Sequence, residues 1–240
     1  MSNMAEISQL TEMSVQLPVA WYLDSKILEI EKHILFDQGP GYVGHELMVP
    51  TVGDYYVPEG MNNAKVLVRN ENGIELLSNI CRHRQALLLK GRSNTKNIVC
   101  PIHRWTYALD GKLLGAPHFT QNPCLNLDKT PLQNWNGLLF NGRRKVVQDM
   151  AKLSVLKDFD FSNYMLDRIQ VDQYRCNWKT FVEVYLEDYH VEPYHPGLSR
   201  FVNTDKLEWE FGDWYSVQTV AIDNTRFGRP GSSVYAKWHE

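Results

Sequence analysis

The sequence predicts an α+β protein: an all-β domain over residues 41–150, then over 151–240 the start of a domain combining antiparallel sheet with helices. Three observations carry this. Between Gly41 and Val147, short apolar runs are separated by turn formers, Gly53-Asp54, Pro58-Glu59-Gly60, Asn72-Gly73, Asp110-Gly111 and Asn136-Gly137, as in strands joined by tight turns. From about Lys152 the composition shifts toward mixed helix and strand. Ahead of both, Leu23, Ile27, Leu28, Ile30 and Ile34 recur at mixed helical spacing, predicting a helix within Leu17–Leu35 and a helical segment over residues 1–40.

Within the β region, Lys65–Arg69 and Ile74–Leu77 alternate apolar residues about Asn72-Gly73 and lead into Cys81. Trp105–Leu109 and Lys112–Leu114 flank Asp110-Gly111, whose glycine permits the positive φ of a tight turn. Between these hairpins stand Cys81 and His83, then Cys100 and His103, a C-x-H-x16-C-x2-H pattern that puts one thiolate and one imidazole on each loop. A structural zinc site can use the same ligand types, but zinc fingers place a cysteine pair first and a histidine pair later. One of each per loop suits a two-iron cluster pinched from opposite sides, the ligand set of a Rieske [2Fe-2S] centre. Neutral imidazole pushes less negative charge onto its iron than thiolate does. Such centres therefore lie at roughly −150 to +300 mV, against about −400 mV for plant-type all-cysteine clusters. Pro101 lacks a backbone donor and has a fixed φ, which stiffens the second loop.

Length and charge narrow the function classes. With 240 residues, 43% hydrophobic and 22% charged, the chain can bury the core of one or two domains. A net charge of −3 and a pI near 6.2 leave no basic footprint for nucleic acid or anionic membrane. The segment through Val19 contains Glu6 and Glu12 and has neither the basic start nor the apolar run of a signal peptide, and no later run suits a membrane span. Cys124 and Cys176 are expected as free, partly buried thiols of a cytoplasmic protein. Arg143-Arg144-Lys145 is expected as a solvated turn.

A second constellation runs from Asn177-Trp178-Lys179 through Glu183, Glu187, His190 and Pro193 to His195-Pro196. Two histidines among carboxylates suit non-haem Fe(II), whose usual protein ligands are two histidines and one carboxylate. On a regular helix His190 and His195 would point about 140° apart. Pro193 is expected to kink or end the helix between them, letting His195 swing back. Glu183, Glu187 and His190 would share one stripe of that helix. The alternative is a solvated acidic helix with incidental histidines.

Both constellations resemble one family. Asn79-Ile-Cys-Arg-His-Arg-Gln-Ala86 and Val99-Cys-Pro-Ile-His-Arg-Trp-Thr-Tyr107 are similar to the Rieske domain of ring-hydroxylating and related non-haem iron oxygenase α subunits. Respiratory Rieske proteins carry an extra cysteine in each loop, which this chain lacks, and Gln85 stands where the oxygenases commonly have glycine. Glu187-x-x-His190-x4-His195 after Asn177-Trp178-Lys179 is similar to the family's mononuclear-iron motif. The resemblance implies a [2Fe-2S] cluster on Cys81, His83, Cys100 and His103, and mononuclear Fe(II) on His190 and His195. It implies that Glu187 bridges electrons from a Rieske histidine of the neighbouring subunit in a homotrimer of the full-length form. NAD(P)H electrons would arrive through a reductase or ferredoxin, and O2 would hydroxylate or demethylate a small aromatic or quaternary ammonium substrate. The glutamate at position 187 points to the quaternary ammonium members. Trp209, Trp214, Tyr185 and Tyr189 are candidates for holding such a cation. The family's third iron ligand is a downstream carboxylate; Glu208, Glu210, Asp213, Asp223 and Glu240 are available, and none stands in a matching motif. The chain is therefore expected to be a fragment with an incomplete catalytic domain. The other readings are a Rieske electron-transfer protein without oxygenase activity and a structural zinc protein.

Overall fold

The computed structural model describes residues 17–153, 160–198 and 203–221. They fall into two compact units, one drawn from 17–37, 173–198, 203–208 and 219–221, the other from 38–153, 160–172 and 209–218. In the first unit the expected helix over Leu17–Leu35 is two helices, α1 (Ala20–Leu23) and α2 (Ser25–Glu31), followed by a π-helical turn over Lys32–Phe36. Asp24 breaks them apart: its backbone is extended (φ −80°, ψ 117°) and its carboxylate caps α2 by accepting from the Lys26 amide at 2.8 Å. The apolar periodicity does not become a buried stripe. Leu23, Ile30, Ile34 and Leu35 stay exposed, and the residue that α2 buries is Glu31.

The second unit is built of short strands. They are β1 (Pro40–His45), β2 (Asp54–Tyr56), β3 (Lys65–Asn70), β4 (Gly73–Ser78), β5 (Arg92–Asn94), β6 (Ile98–Val99), β7 (Thr106–Tyr107), β8 (Leu113–Gly115), β9 (Lys129–Thr130), β10 (Gln133–Trp135) and β11 (Leu138–Gly142). They form antiparallel sheets in the orders β5-β2-β3-β4-β9, β1-β11-β10 and β6-β7-β8. The one-turn helix α3 (Val146–Asp149) follows. Further on, β12 (Asn203–Phe211) pairs with β13 (Ser216–Ala221).

Turn chemistry explains the hairpins. β3 and β4 close at Asn70↔Gly73, one residue earlier than the sequence suggests, because the Asn70 side chain accepts from the Asn72 amide at 2.8 Å and forms the turn itself. Between β10 and β11, Asn136 and Gly137 both have positive φ (49° and 87°), the two-residue type I′ turn expected of Asn-Gly. Gly111 takes φ 85° between β7 and β8, as expected.

Strands β3 and β4 are buried on both faces, which is why their apolar runs are nearly continuous. Val66, Val68 and Leu77 face a core that contains Cys81, Cys100, Trp105 and Tyr107. Leu67 and Leu76 face another, with Val43, Val49 and Leu139. Full burial of each such side chain contributes about 1.5–3 kcal/mol. The basic turn is not simply solvated: Arg144 forks onto Asp149 at 2.9 and 2.7 Å, and its guanidinium lies 3.3 Å from the ring centroid of Trp214. Cys124 and Cys176 are exposed rather than partly buried, and Cys124 stands in a left-handed turn (φ 56°). Among the described residues no helix is long and apolar enough to cross a membrane.

Candidate functional site

The four residues of the first constellation sit on two loops of the same form. The Cys81 amide donates to the Ala86 carbonyl at 2.9 Å, and the Cys100 amide to the Trp105 carbonyl at 2.8 Å. The second closure keeps Trp105 out of the strand predicted from 105 to 109, leaving only Thr106 and Tyr107 in β7. Both thiols are 1% exposed within the core, so each loop returns its cysteine inward and projects its histidine outward. His83 is partly buried and His103 exposed.

The two imidazoles meet at the loop tips, their ring centroids 4.7 Å apart at 73°. His83 stacks flat on Trp105 (4.9 Å, 4°), and Phe119 stands edge-on to both. Within this packing His83 Nδ1 is buried with no hydrogen-bond partner among the described residues. A buried, unsatisfied ring nitrogen normally costs about 1–3 kcal/mol, and a metal ligand removes that penalty. Burial first, then the charges of His103 and Arg84, lower the pKa of His83 and keep its imidazole neutral, the form that binds metal. Two buried thiols and two facing imidazoles, one with an orphaned nitrogen, fit a two-iron, two-sulfide cluster.

Two residues outside the ligand pattern hold this arrangement. The Tyr107 oxygen accepts from the Arg82 amide at 3.1 Å, which leaves its hydroxyl hydrogen for the Cys81 Sγ at 3.4 Å. Burial first, then the hydrogen bond to Cys81, raises the pKa of Tyr107, so it remains a donor. Asn79, fully buried, donates to the Asn63 and Leu89 carbonyls and accepts from the Leu89 amide, each at 2.9 Å. It ties the approach to Cys81 to the strand's neighbours. Both residues lie inside the stretches that carry the family resemblance, but their partners are 10 to 26 residues away and not visible in a motif.

The second constellation is in the other unit. Helix α4 (Trp178–Val184) begins at Asn177, whose side chain caps it by accepting from the Lys179 amide at 3.0 Å. It ends at Val184, before Glu187, so Glu183, Glu187 and His190 do not share a helical stripe as expected. Glu183 instead accepts from the Tyr22 hydroxyl. Pro193 does not break a helix between the histidines either. It sits in the first turn of α5 (Val191–Tyr194), where a missing N–H costs nothing, with His190 as the residue before that turn and His195 as the residue after it. The outcome is the predicted one by another route: His190 and His195 come together with ring centroids 5.3 Å apart at 81°.

Glu187 is bound to His190 twice. Its Oε1 pairs with Nδ1 at 2.5 Å and its Oε2 accepts from the His190 amide at 3.3 Å. Burial pushes the Glu187 pKa up, but the hydrogen bonds from the His190 ring and amide outweigh this and lower it, so the carboxylate stays ionised. With Nδ1–H donated to a carboxylate, His190 Nε2 is left as a basic lone pair, the tautomer of a metal ligand. Among the described residues no three His, Cys, Asp or Glu side chains are grouped as a single ion would need them. Glu210 accepts from Tyr215 at 2.9 Å, while Glu208 and Asp213 are exposed; Asp223 and Glu240 lie outside the described residues.

The four aromatics named as a cation site are otherwise engaged or open. Arg144 covers Trp214, and Trp209 stacks on Phe211 at 5.6 Å. Tyr185 packs on Phe181 and Tyr189 is exposed.

Comparison with known proteins follows the same division. The Rieske [2Fe-2S] domain profile matches residues 42–135, and the profile for the catalytic domain of ring hydroxylating alpha subunits matches residues 154–238. The chain is 58% identical over 240 residues to putrescine 2-hydroxylase of Ralstonia nicotianae, covering all of this chain and 66% of that one. It is 46% identical over 255 residues to putrescine 2-hydroxylase of Bordetella bronchiseptica, of which it covers 59%. Identity to the carnitine monooxygenase oxygenase subunit of Escherichia coli K12 is 29% over 214 residues, 82% of this chain and 57% of the relative. The chain thus spans less than two thirds of the length of each. Among solved structures, a quaternary ammonium Rieske monooxygenase in complex with L-carnitine shares the fold with a TM-score of 0.70 at 24% identity, covering 85% of this chain and 62% of the other. Naphthalene 1,2-dioxygenase from Rhodococcus does so with a TM-score of 0.70 at 23% identity, covering 90% and 54%.

Proposed function

We propose, since this chain belongs to the Rieske-type ring-hydroxylating oxygenase α subunits, that it serves the O2-dependent hydroxylation of a small aliphatic diamine. Residues 41–150 are assigned to the [2Fe-2S] domain, with Cys81, His83, Cys100 and His103 as cluster ligands. Residues 151–240 are assigned to the mononuclear-iron domain, with His190 and His195 as iron ligands; of the helical segment expected over 1–40, residues 20–23 and 25–36 are helical and residues 1–16 lie outside the described residues. The observation that carries the reading is the Glu187–His190 pair with His195 beside it, downstream of the cysteine–histidine quartet in one chain. An electron carrier needs no such pair.

When bound, the cluster supplies single electrons and the iron supplies O2 activation; the sum is R–H plus O2, two electrons and two protons giving R–OH and water. The protein's own residues orient these events. Glu187 fixes the tautomer of His190 and, being partly exposed, keeps carboxylate surface for a histidine of a neighbouring subunit in a homotrimer. Electrons come from NAD(P)H through a reductase or ferredoxin, a supply that suits a cytoplasmic protein. The substrate class is supported by the two putrescine hydroxylases, at 58% and 46% identity, against 29% for the carnitine enzyme.

The test is a single turnover with labelled dioxygen, using protein loaded anaerobically with iron and sulfide, reduced, and given putrescine or carnitine. Hydroxylated putrescine carrying the label is expected. Iron-replete protein that labels neither amine overturns the assignment, and labelled carnitine product alone shifts the substrate class. Glu187→Ala is expected to leave both metal sites loaded at saturating iron while lowering turnover about 10- to 100-fold.

A further inference from the structure

We propose that Glu31, on the N-terminal helix α2, is a positioning residue for the His190–His195 pair, acting through Lys179 and Trp178. The inference rests on the reading that those histidines hold iron. It begins from an inversion of the expected burial: α2 leaves Ile30 exposed and buries a carboxylate. A buried carboxylate is unfavourable unless it is paired and hydrogen-bonded. Both Glu31 oxygens are used. Oε1 accepts from Lys179 Nζ at 2.6 Å, the two side chains being 7% and 10% exposed, and Oε2 accepts from Trp178 Nε1 at 2.9 Å.

Neighbouring contacts extend the clamp. Asn177 Nδ2 donates to the Tyr22 carbonyl at 2.9 Å, while the same side chain caps α4. Phe36 packs edge-on against Trp178 at 5.4 Å, and the Lys179 ammonium lies over the Tyr22 and Trp178 rings at 5.5 and 5.2 Å. Near the far end of α4, Glu183 accepts from the Tyr22 hydroxyl. A seven-residue helix is too short to hold itself in water. Here it is held at both ends by α1 and α2, and three residues beyond its end the chain delivers Glu187 and then His190.

Stability alone does not account for this choice of residues. A buried ion pair can often be replaced by well-packed apolar side chains without loss of stability. What such a pair adds is direction: two charge-assisted hydrogen bonds accept one rotation of α4, where leucines would tolerate several. Rotation of α4 sets the direction in which the chain leaves toward the histidines.

The test compares the wild-type chain with Glu31→Gln and with the double variant Glu31→Leu/Lys179→Leu. Fe(II) affinity of the mononuclear site is read from the nitric oxide adduct by electron paramagnetic resonance, alongside cluster absorbance and the melting midpoint. Both variants are expected to bind Fe(II) about tenfold or more weakly with undiminished cluster content, and the double variant to do so at a wild-type melting midpoint. Wild-type Fe(II) affinity in the folded double variant overturns the proposal and leaves the clamp a structural contact. Coupling must be reciprocal, so Fe(II) added to the cluster-loaded wild-type protein should slow amide exchange in residues 20–31; unchanged exchange at saturating Fe(II) likewise overturns it. A cluster-loaded wild-type chain that binds no Fe(II) at His190 and His195 refutes instead the iron reading beneath it.

Discussion

Gln85 and Arg104 occupy the same place in two separate loops: each lies four residues after its cysteine, each has left-handed backbone (φ 56° and 59°), and each donates its amide to that cysteine's carbonyl, at 3.0 and 3.1 Å. The histidines stand at different offsets within these matched loops, two residues after Cys81 and three after Cys100. The left-handed turn favours glycine at position 85 over any residue with a side chain. A side chain there strains the backbone, and glycine does not.

Gln85→Gly is therefore expected to stabilise the cluster-loaded protein by about 0.5–1 kcal/mol, and Gln85→Val to destabilise it by more than about 1 kcal/mol. The measurement is the midpoint of urea-induced loss of cluster absorbance. Equal midpoints for all three proteins would contradict the strain argument.

Tyr107→Phe removes a hydroxyl that donates to Cys81 Sγ. Hydrogen bonds to cluster sulfurs favour the reduced, more negative state. Loss of about 1 kcal/mol of such stabilisation corresponds to about 40 mV for one electron, so the reduction potential should fall by about that amount. Protein-film voltammetry reads it directly, and an unchanged potential would remove Tyr107 from the circuit.

Asn79→Ala should destabilise the second unit by about 3 kcal/mol, because it leaves two carbonyls and an amide of the buried loop without partners. Asn79→Asp should lose a comparable amount, since a carboxylate cannot donate to Asn63 and Leu89. Thermal unfolding of cluster-loaded protein checks both.

His45 supplies a pH dependence whose sign is fixed by its contacts. Its Nδ1 accepts from the Leu47 amide at 3.1 Å, which requires an unprotonated nitrogen, and burial lowers its pKa, with Glu46 partly opposing. The folded state then binds fewer protons than the unfolded state just below the ordinary histidine range of about 6.5. Stability is complete above that range and is lost as pH falls through the lowered folded value. His45→Asn keeps an acceptor without a titrating ring and should flatten this slope in melting midpoint against pH. Gly137→Ala should lower the midpoint at every pH, as a Cβ there would lie 2.7 Å from the His45 ring at φ 87°.

Much of the site was legible because its chemistry is local. The quartet depends on residue types two and three positions apart, and Asn136-Gly137 and Gly111 turn where backbone sterics require them to. Regular helical spacing puts Glu183 and Glu187 on one stripe, but α4 ends at Val184, and Pro193 opens a helical turn rather than closing one. Nor could a run of three basic residues reveal that Arg144 would be held by Asp149 and Trp214.

The sequence by itself determined where the two constellations of histidines, cysteines and carboxylates lie and the turns beside the first, since short loops are governed by the sterics and hydrogen bonding of adjacent residues. Only the tertiary structure decided which polar groups are buried and against what: Tyr107 beside Cys81, Asn79 across its loop, and Glu31 with Lys179, 148 positions apart. The physical reason is that periodicity records which residues avoid water, whereas the partner of a buried charge or hydroxyl is set by elements brought together from distant parts of the chain.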